Sequence, residues 1–163
     1  MAHTDRVTIE IERKFILSEA PTAQLLGPGV HIRQGYLAEE ADVEVRVRIT
    51  ATNATVTVKA GTGLSRTEVD VAVSLEQAES LWPHTVGRRI DKTRYRVTLA
   101  DPAGHVAEVD VYGGALAGLC VAEVEFSSEI EAAAFTPPAW FGHELTGQSG
   151  WSNATLARHG MAG

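Results

Sequence analysis

The sequence predicts an all-β-dominated α+β fold of about eight antiparallel strands with a few short helices. Three observations carry this. Apolar and charged residues alternate with period two in one segment after another. The breaks between those segments hold the Gly, Pro, Asn and Asp that tight turns need. Few stretches show helical spacing. Eight strands suffice to close a small barrel.

In chain order, Val7, Ile9, Ile11 and Phe15 alternate with Glu10, Glu12 and Lys14. Residues 18–26 are a short helix candidate, and 30–37 a strand with a weaker pattern. Val43, Val45 and Val47 alternate with Glu44, Arg46 and Arg48, and Val56 and Val58 with Thr57 and Lys59. Residues 51–53 and the glycines Gly61 and Gly63 supply the reversals on either side. Val69, Val71 and Val73 alternate with Glu68 and Asp70. A helix is expected over 74–82, where Ser74 and Gln77 fit a capping box. Lys92, Arg94 and Arg96 define a sixth strand. Asp101-Pro102-Ala103-Gly104 is a turn, Glu108 and Asp110 mark a seventh strand, and Glu123 and Glu125 an eighth. Residues 128–135 and 149–159 are helix candidates, separated by Pro137-Pro138. The chain reads as one domain over 1–163.

The 163 residues carry 14 Lys+Arg against 21 Asp+Glu, a net charge of −7, which argues against a generic nucleic-acid or acidic-membrane binder. Apolar residues at 44% are enough for a core. The single Cys120 excludes an intrachain disulfide and a multi-cysteine metal site. The first eleven residues lack a signal-peptide core, so a cytoplasmic setting is expected. The six histidines, His3 among them, show no metalloprotease spacing and read as surface or turn residues.

The patterned charges come as like-sign pairs two residues apart: Glu10/Glu12, Arg46/Arg48, Arg94/Arg96, Glu108/Asp110 and Glu123/Glu125. A merely solvated sheet face would mix its signs, because such neighbours repel at about 6.6 Å. Nine patterned acids face eight patterned bases, so these positions sum to −1 and the rest of the chain holds −6. Periodicity fits a barrel with its valines inside as well as one with its charges inside. In the second case the outer valines need cover, and Leu25, Leu26, Leu75, Leu81, Trp82, Phe135, Trp151 and Leu156 are available. Seventeen enclosed charges require partners. A polyanion would satisfy the bases and a divalent cation the paired carboxylates, which together describe a metal–polyphosphate site.

The segment Ile9-Glu10-Ile11-Glu12-Arg13-Lys14-Phe15 resembles the E-x-E-x-K signature of the CYTH superfamily, the triphosphate tunnel metalloenzymes. Further matches follow in order. They are Gln34-Gly35-Tyr36-Leu37, Arg46/Arg48, Lys59, Arg66-Thr67-Glu68-Val69-Asp70, Lys92-Thr93-Arg94-Tyr95, the strand of Asp110, and Glu123/Glu125. Asp70 stands where Glu is commoner, one methylene shorter. The resemblance implies an eight-stranded antiparallel closed barrel, a tunnel with a charged interior, and an enzyme acting on triphosphates with Mg²⁺ or Mn²⁺. Inorganic tripolyphosphate is the expected substrate. Thiamine triphosphatase, class IV adenylate cyclase and a non-catalytic polyphosphate or nucleotide sensor are the alternatives.

On this resemblance the metal ligands are Glu10, Glu12, Glu68, Asp70, Asp110, Glu123 and Glu125. Phosphate oxygens fall to Lys14, Arg46, Arg48, Lys59, Arg66, Lys92 and Arg94. Lys14 among cationic neighbours, Tyr36 beside it, and Lys92 are the catalytic candidates for activating water. Glu44 and Glu108 read as partners of neighbouring arginines.

Overall fold

The computed structural model describes residues 6–161; His3 lies outside them. Eight strands form one sheet: β1 (Arg6–Ile16), β2 (Gly29–Glu40), β3 (Val43–Ile49), β4 (Ala54–Ala60), β5 (Ser65–Val73), β6 (Arg89–Thr98), β7 (Val106–Tyr112) and β8 (Cys120–Glu125). All pairings are antiparallel, and the order β1-β5-β4-β3-β2-β6-β7-β8 closes on itself. Closure removes the unpaired edges of an open sheet. β1 is the seam: its first half, Arg6–Ile11, pairs with β5, and Glu12–Ile16 pairs with β8.

The register settles which face turns inward. Glu44, Arg46 and Lys59 are buried although charged, and the interior rows continue through Glu10, Glu12, Lys14, Arg94 and Glu123. The apolar face points outward and finds its core there. Val97, Ala107, Val109, Ala122 and Val124 pack under Leu26, Phe126, Phe135 and Phe141. Val47, Ile49 and Ala54 pack under Ala78 and Trp82. Each such side chain removed from water contributes about 1.5–3 kcal/mol if large.

The helices supply this cover. They are α1 (Ala23–Leu26), α2 (Leu75–Leu81), α3 (Glu129–Ala134) and α4 (Asn153–His159). α2 carries the expected capping box, reciprocal between Ser74 and Gln77. The first helix is shorter than 18–26, because Pro21 disfavours helical backbone in the residue before it and Gly27, at φ 64°, ends the turn. The last candidate is split: Ser149–Trp151 is a 3₁₀ turn, and Ser152 caps a new helix by accepting from Thr155 N.

Leu25 and Leu75 do not cover the barrel but remain exposed. Trp151 and Leu156 lie across one end of it rather than on its flank. There Ala154 and Leu156 pack on the inward residues Tyr36, Ile90, Tyr112 and Val121. The outer face of β1 near Val7 and Ile9 is bare.

Candidate active site

The inward rows line a cavity of about 630 Å³ within the barrel. Its lining includes Glu10, Glu12, Lys14, Tyr36, Arg46, Arg48, Lys59, Arg66, Glu68, Asp70, Arg94, Glu123 and Glu125. Strand pairing explains why residues so far apart in sequence meet: Lys14 stands opposite Glu123, Glu12 opposite Glu125, Lys59 opposite Glu68 and Tyr36 opposite Arg46. Lys92 and Asp110 do not line the cavity. Both are fully buried behind Arg94, which donates to both Asp110 oxygens at 2.7 Å.

The acidic side gathers on β1, β5 and β8. Carboxylate oxygens of Glu10, Glu12 and Glu125 lie within 4.8 Å of one another. Burial, then repulsion from Glu123 and Glu10, pushes Glu12 up to about 8. Glu125 is raised as well, by burial and by Glu108 and Glu10. Three crowded carboxylates, one of them held protonated by its surroundings, form an oxygen donor set that fits a hard divalent cation. Glu68 behaves differently. Burial opposes its ionisation, but Lys59 and Arg46 outweigh that and hold it near 2. Lys59 also bonds both oxygens of Glu10, at 2.9 and 2.7 Å. Asp70 accepts from Thr57 Oγ1 at 2.5 Å.

The basic side falls into two groups. In the first, each cation already has a carboxylate. Lys92 bonds Asp110 at 2.6 Å, and Arg94 reaches Asp110, Glu108 and Glu123. Burial, only partly offset by Asp110, still lowers Lys92 to about 7. Burial likewise works against Glu123 as an anion, but Lys14, Arg94 and Lys92 outweigh it and lower its pKa.

In the second group, Arg46 and Arg48 have no carboxylate partner among the described residues. Arg46 is 5% exposed, and its Nε lacks any hydrogen-bond partner. Arg48 donates only to the side-chain oxygen of Gln34, through Nε at 3.2 Å and Nη2 at 3.1 Å. Burial and the charges of Arg46 and Arg94 lower Arg48 to about 10. Burial opposes the charge of Arg46, but Tyr36, Glu68, Glu44 and Glu10 outweigh it and raise its pKa without any of these carboxylates closing an ion pair. Two neighbouring guanidinium groups that keep donors free of carboxylate contact make a strong anion site.

Three expected neighbours differ. Lys14 is not set among cations: its Nζ donates to the Trp151 carbonyl at 2.7 Å and lies 3.6 Å from Glu123. The Tyr36 hydroxyl meets Gln34 at 2.8 Å, not Lys14. Arg66 binds the hairpin carbonyl of Gly61 at 3.0 Å and lies 3.7 Å from Glu44, so it braces the cavity rim.

The sequence pattern missed two contributors. Arg13, on the outer face of β1, clasps Glu144 in bidentate fashion at 2.7 Å and donates to the carbonyls of Ala132 and Phe135. This ties the segment after α3 alongside β1, where Leu145 N bonds Lys14 O at 2.7 Å and Thr146 Oγ1 takes Lys14 N. Gln34 was visible only as part of a motif.

A closed antiparallel tunnel with carboxylates on one wall and unpaired arginines on the other belongs to a recognisable class. Residues 8–158 match the CYTH domain, and the chain is a member of that family. It is 45% identical over 149 residues to the inorganic triphosphatase of Nitrosomonas europaea, spanning 91% of this chain and 96% of that protein. It is 35% identical over 155 residues to the inorganic triphosphatase of Acetivibrio thermocellus, across 92% of this chain and 94% of that one. The crystal structure of the inorganic triphosphatase NE1496 superposes with a TM-score of 0.68 at 40% identity, covering 93% of this chain and 99% of that chain.

Proposed function

We propose that this chain hydrolyses inorganic tripolyphosphate to pyrophosphate and phosphate, in the cytoplasm, with Mg²⁺ or Mn²⁺ as cofactor. The observation that carries the reading is the unpaired pair Arg46 and Arg48, facing a carboxylate trio inside one cavity. Family membership and two inorganic triphosphatase relatives matched over nearly their full lengths support it.

Glu10, Glu12 and Glu125 would hold the cation, with Glu68, Asp70 and Glu123 as further carboxylates on the same side. When bound, the cation withdraws charge from phosphate oxygens. Asp110 was expected in the same set, but Lys92 and Arg94 already occupy it, so its role is to fix those cations. Arg46 and Arg48 grip phosphate oxygens, and Lys59, Lys14 and Arg94 add charge to the clamp. These groups sit still while charge develops, which is where electrostatic catalysis gains most. Lys92 is lowered to about 7 and is buried beside Arg94, so it tunes the clamp from behind. Lys14 and Tyr36 also line the cavity; Lys14 would orient the attacking water and Tyr36 would offer its hydroxyl to a phosphate oxygen.

The test is phosphate release from tripolyphosphate, ATP, thiamine triphosphate and pyrophosphate with Mg²⁺ or Mn²⁺. Fast release from tripolyphosphate that stops with EDTA is expected. Release from none of the four rejects the enzyme.

A further inference from the structure

Gln34 is 0% exposed and stands between two functional side chains on the inward face of β2. Its neighbours fix its orientation. Arginine can only donate, so the side-chain oxygen of Gln34 must face Arg48, which approaches it through Nε and Nη2. The amide nitrogen must then face Tyr36, and it donates to the phenol oxygen at 2.8 Å. A reversed amide would set an N–H against an N–H and leave both donors buried without an acceptor.

The consequence reaches Tyr36. Its oxygen is already an acceptor, so its own proton points elsewhere. Among the described residues the hydroxyl donates to no protein acceptor, and Tyr36, although 0% exposed, borders the cavity. Burial raises Tyr36 above its ordinary value, so the proton stays on. The frame is rigid. Gly35, between the two side chains, faces outward, where a Cβ would meet Thr85 at 2.6 Å, and Tyr36 N bonds Arg88 O at 3.0 Å.

We infer that Gln34 is a positioning residue that sets the polarity of the site: it forces Tyr36 to act as a hydrogen-bond donor into the tunnel and holds the fork of Arg48 for the same phosphate. Tyr36 then stabilises a phosphate oxygen and does not take a proton from water. This rests on the triphosphatase reading.

Gln34→Glu tests it, because it keeps the shape and the Arg48 contact but offers Tyr36 only an acceptor. The phenol proton is drawn to the carboxylate and lost to the tunnel. In tripolyphosphate hydrolysis, kcat should fall about 10–100-fold, the scale of losing one oriented donor. In a Tyr36→Phe background the same change should alter kcat by less than about threefold, since no phenol remains to reorient. The KM effect through Arg48 should be equal in both backgrounds. Unchanged kcat, or kcat losses that multiply, overturns the inference. If Gln34→Glu does not fold, Gln34→Met removes both bonds and enters the same cycle. If the unmutated chain releases no phosphate, the functional reading fails separately. Calorimetric binding of tripolyphosphate in EDTA then decides: sub-additive losses sustain the inference, additive losses or no binding end it.

Discussion

Two sets of buried cations stand on the inward face of the barrel and live under opposite conditions. Lys92 and Arg94 are bound to Asp110, Glu108 and Glu123, so their charge is already answered inside the protein. Arg46 and Arg48 have one amide oxygen between them. A buried charge that lacks its partner is a cost the folded chain carries until a ligand arrives. On the proposed function the first set chiefly serves the fold, with Arg94 also adding charge to the clamp, and the second serves binding, though both look alike as R-x-R or K-x-R in sequence.

The comparison can be broken at either side. The largest effect is expected from Asp110→Ala, which leaves Lys92 without its partner. Breaking a buried pair costs about 3–5 kcal/mol, which in a chain of this size lowers Tm by about 6–20 °C, readable by calorimetry without ligand.

Arg46→Ala should do the reverse. It should move Tm little while lowering kcat/KM for tripolyphosphate by roughly 10–150-fold, equivalent to about 1.5–3 kcal/mol for a charged hydrogen bond. If Arg46→Ala unfolds the chain as Asp110→Ala does, the division between the two sets is wrong.

Glu12→Gln sharpens the contrast on the acidic side. It relieves crowding with Glu10 and Glu123, so in EDTA the variant should be more stable, by about 1 kcal/mol. The same variant should need more Mg²⁺ for half-maximal activity, measured by metal titration.

The smallest effect lies outside the tunnel, where His105 bridges Asp101 at 2.5 Å and Glu131 at 3.0 Å. Hydrogen bonds to Asp101 and then Glu131 raise His105, while Asp101 and Glu131 are themselves lowered. The histidine part is fully present below about pH 6.5 and fades as pH rises through its raised value. The carboxylate part is present above about pH 4.3 and fades on acidification. The Tm advantage over His105→Ala should therefore peak between these limits and shrink toward pH 9.

The strands were legible from alternation repeated in nearly every segment; alternation fits an ordinary antiparallel sheet as well, and it was the ordered motifs from Glu10 to Glu125 that implied a closed barrel. The facing of the like-sign pairs was not legible from period two, which is symmetric between the two faces. Individual partners were hidden for a similar reason. Asp110 and Glu125 read alike as inward acids, yet one sits behind Arg94 and the other opens onto the cavity, a difference of position along the barrel that only register sets. Gln34 gave no charge signal at all. Arg13 sat on the wrong phase of the strand and so appeared idle, although it clamps the chain's return past β1.

The seam at β1 has a kinetic consequence. Residues 12–16 pair with residues 121–125, so sealing the barrel joins segments more than a hundred positions apart. Joining such distant segments makes closure entropically slow. Glu10 on one lip and Glu125 on the other repel across that gap. On the proposed function, a cation that draws them together is a fastener as well as a cofactor, and by mass action it deepens the folded basin with the logarithm of its concentration once that exceeds its Kd. Refolding that quickens when Mg²⁺ is present from the start, and unfolding that slows, would be the trace of that fastening.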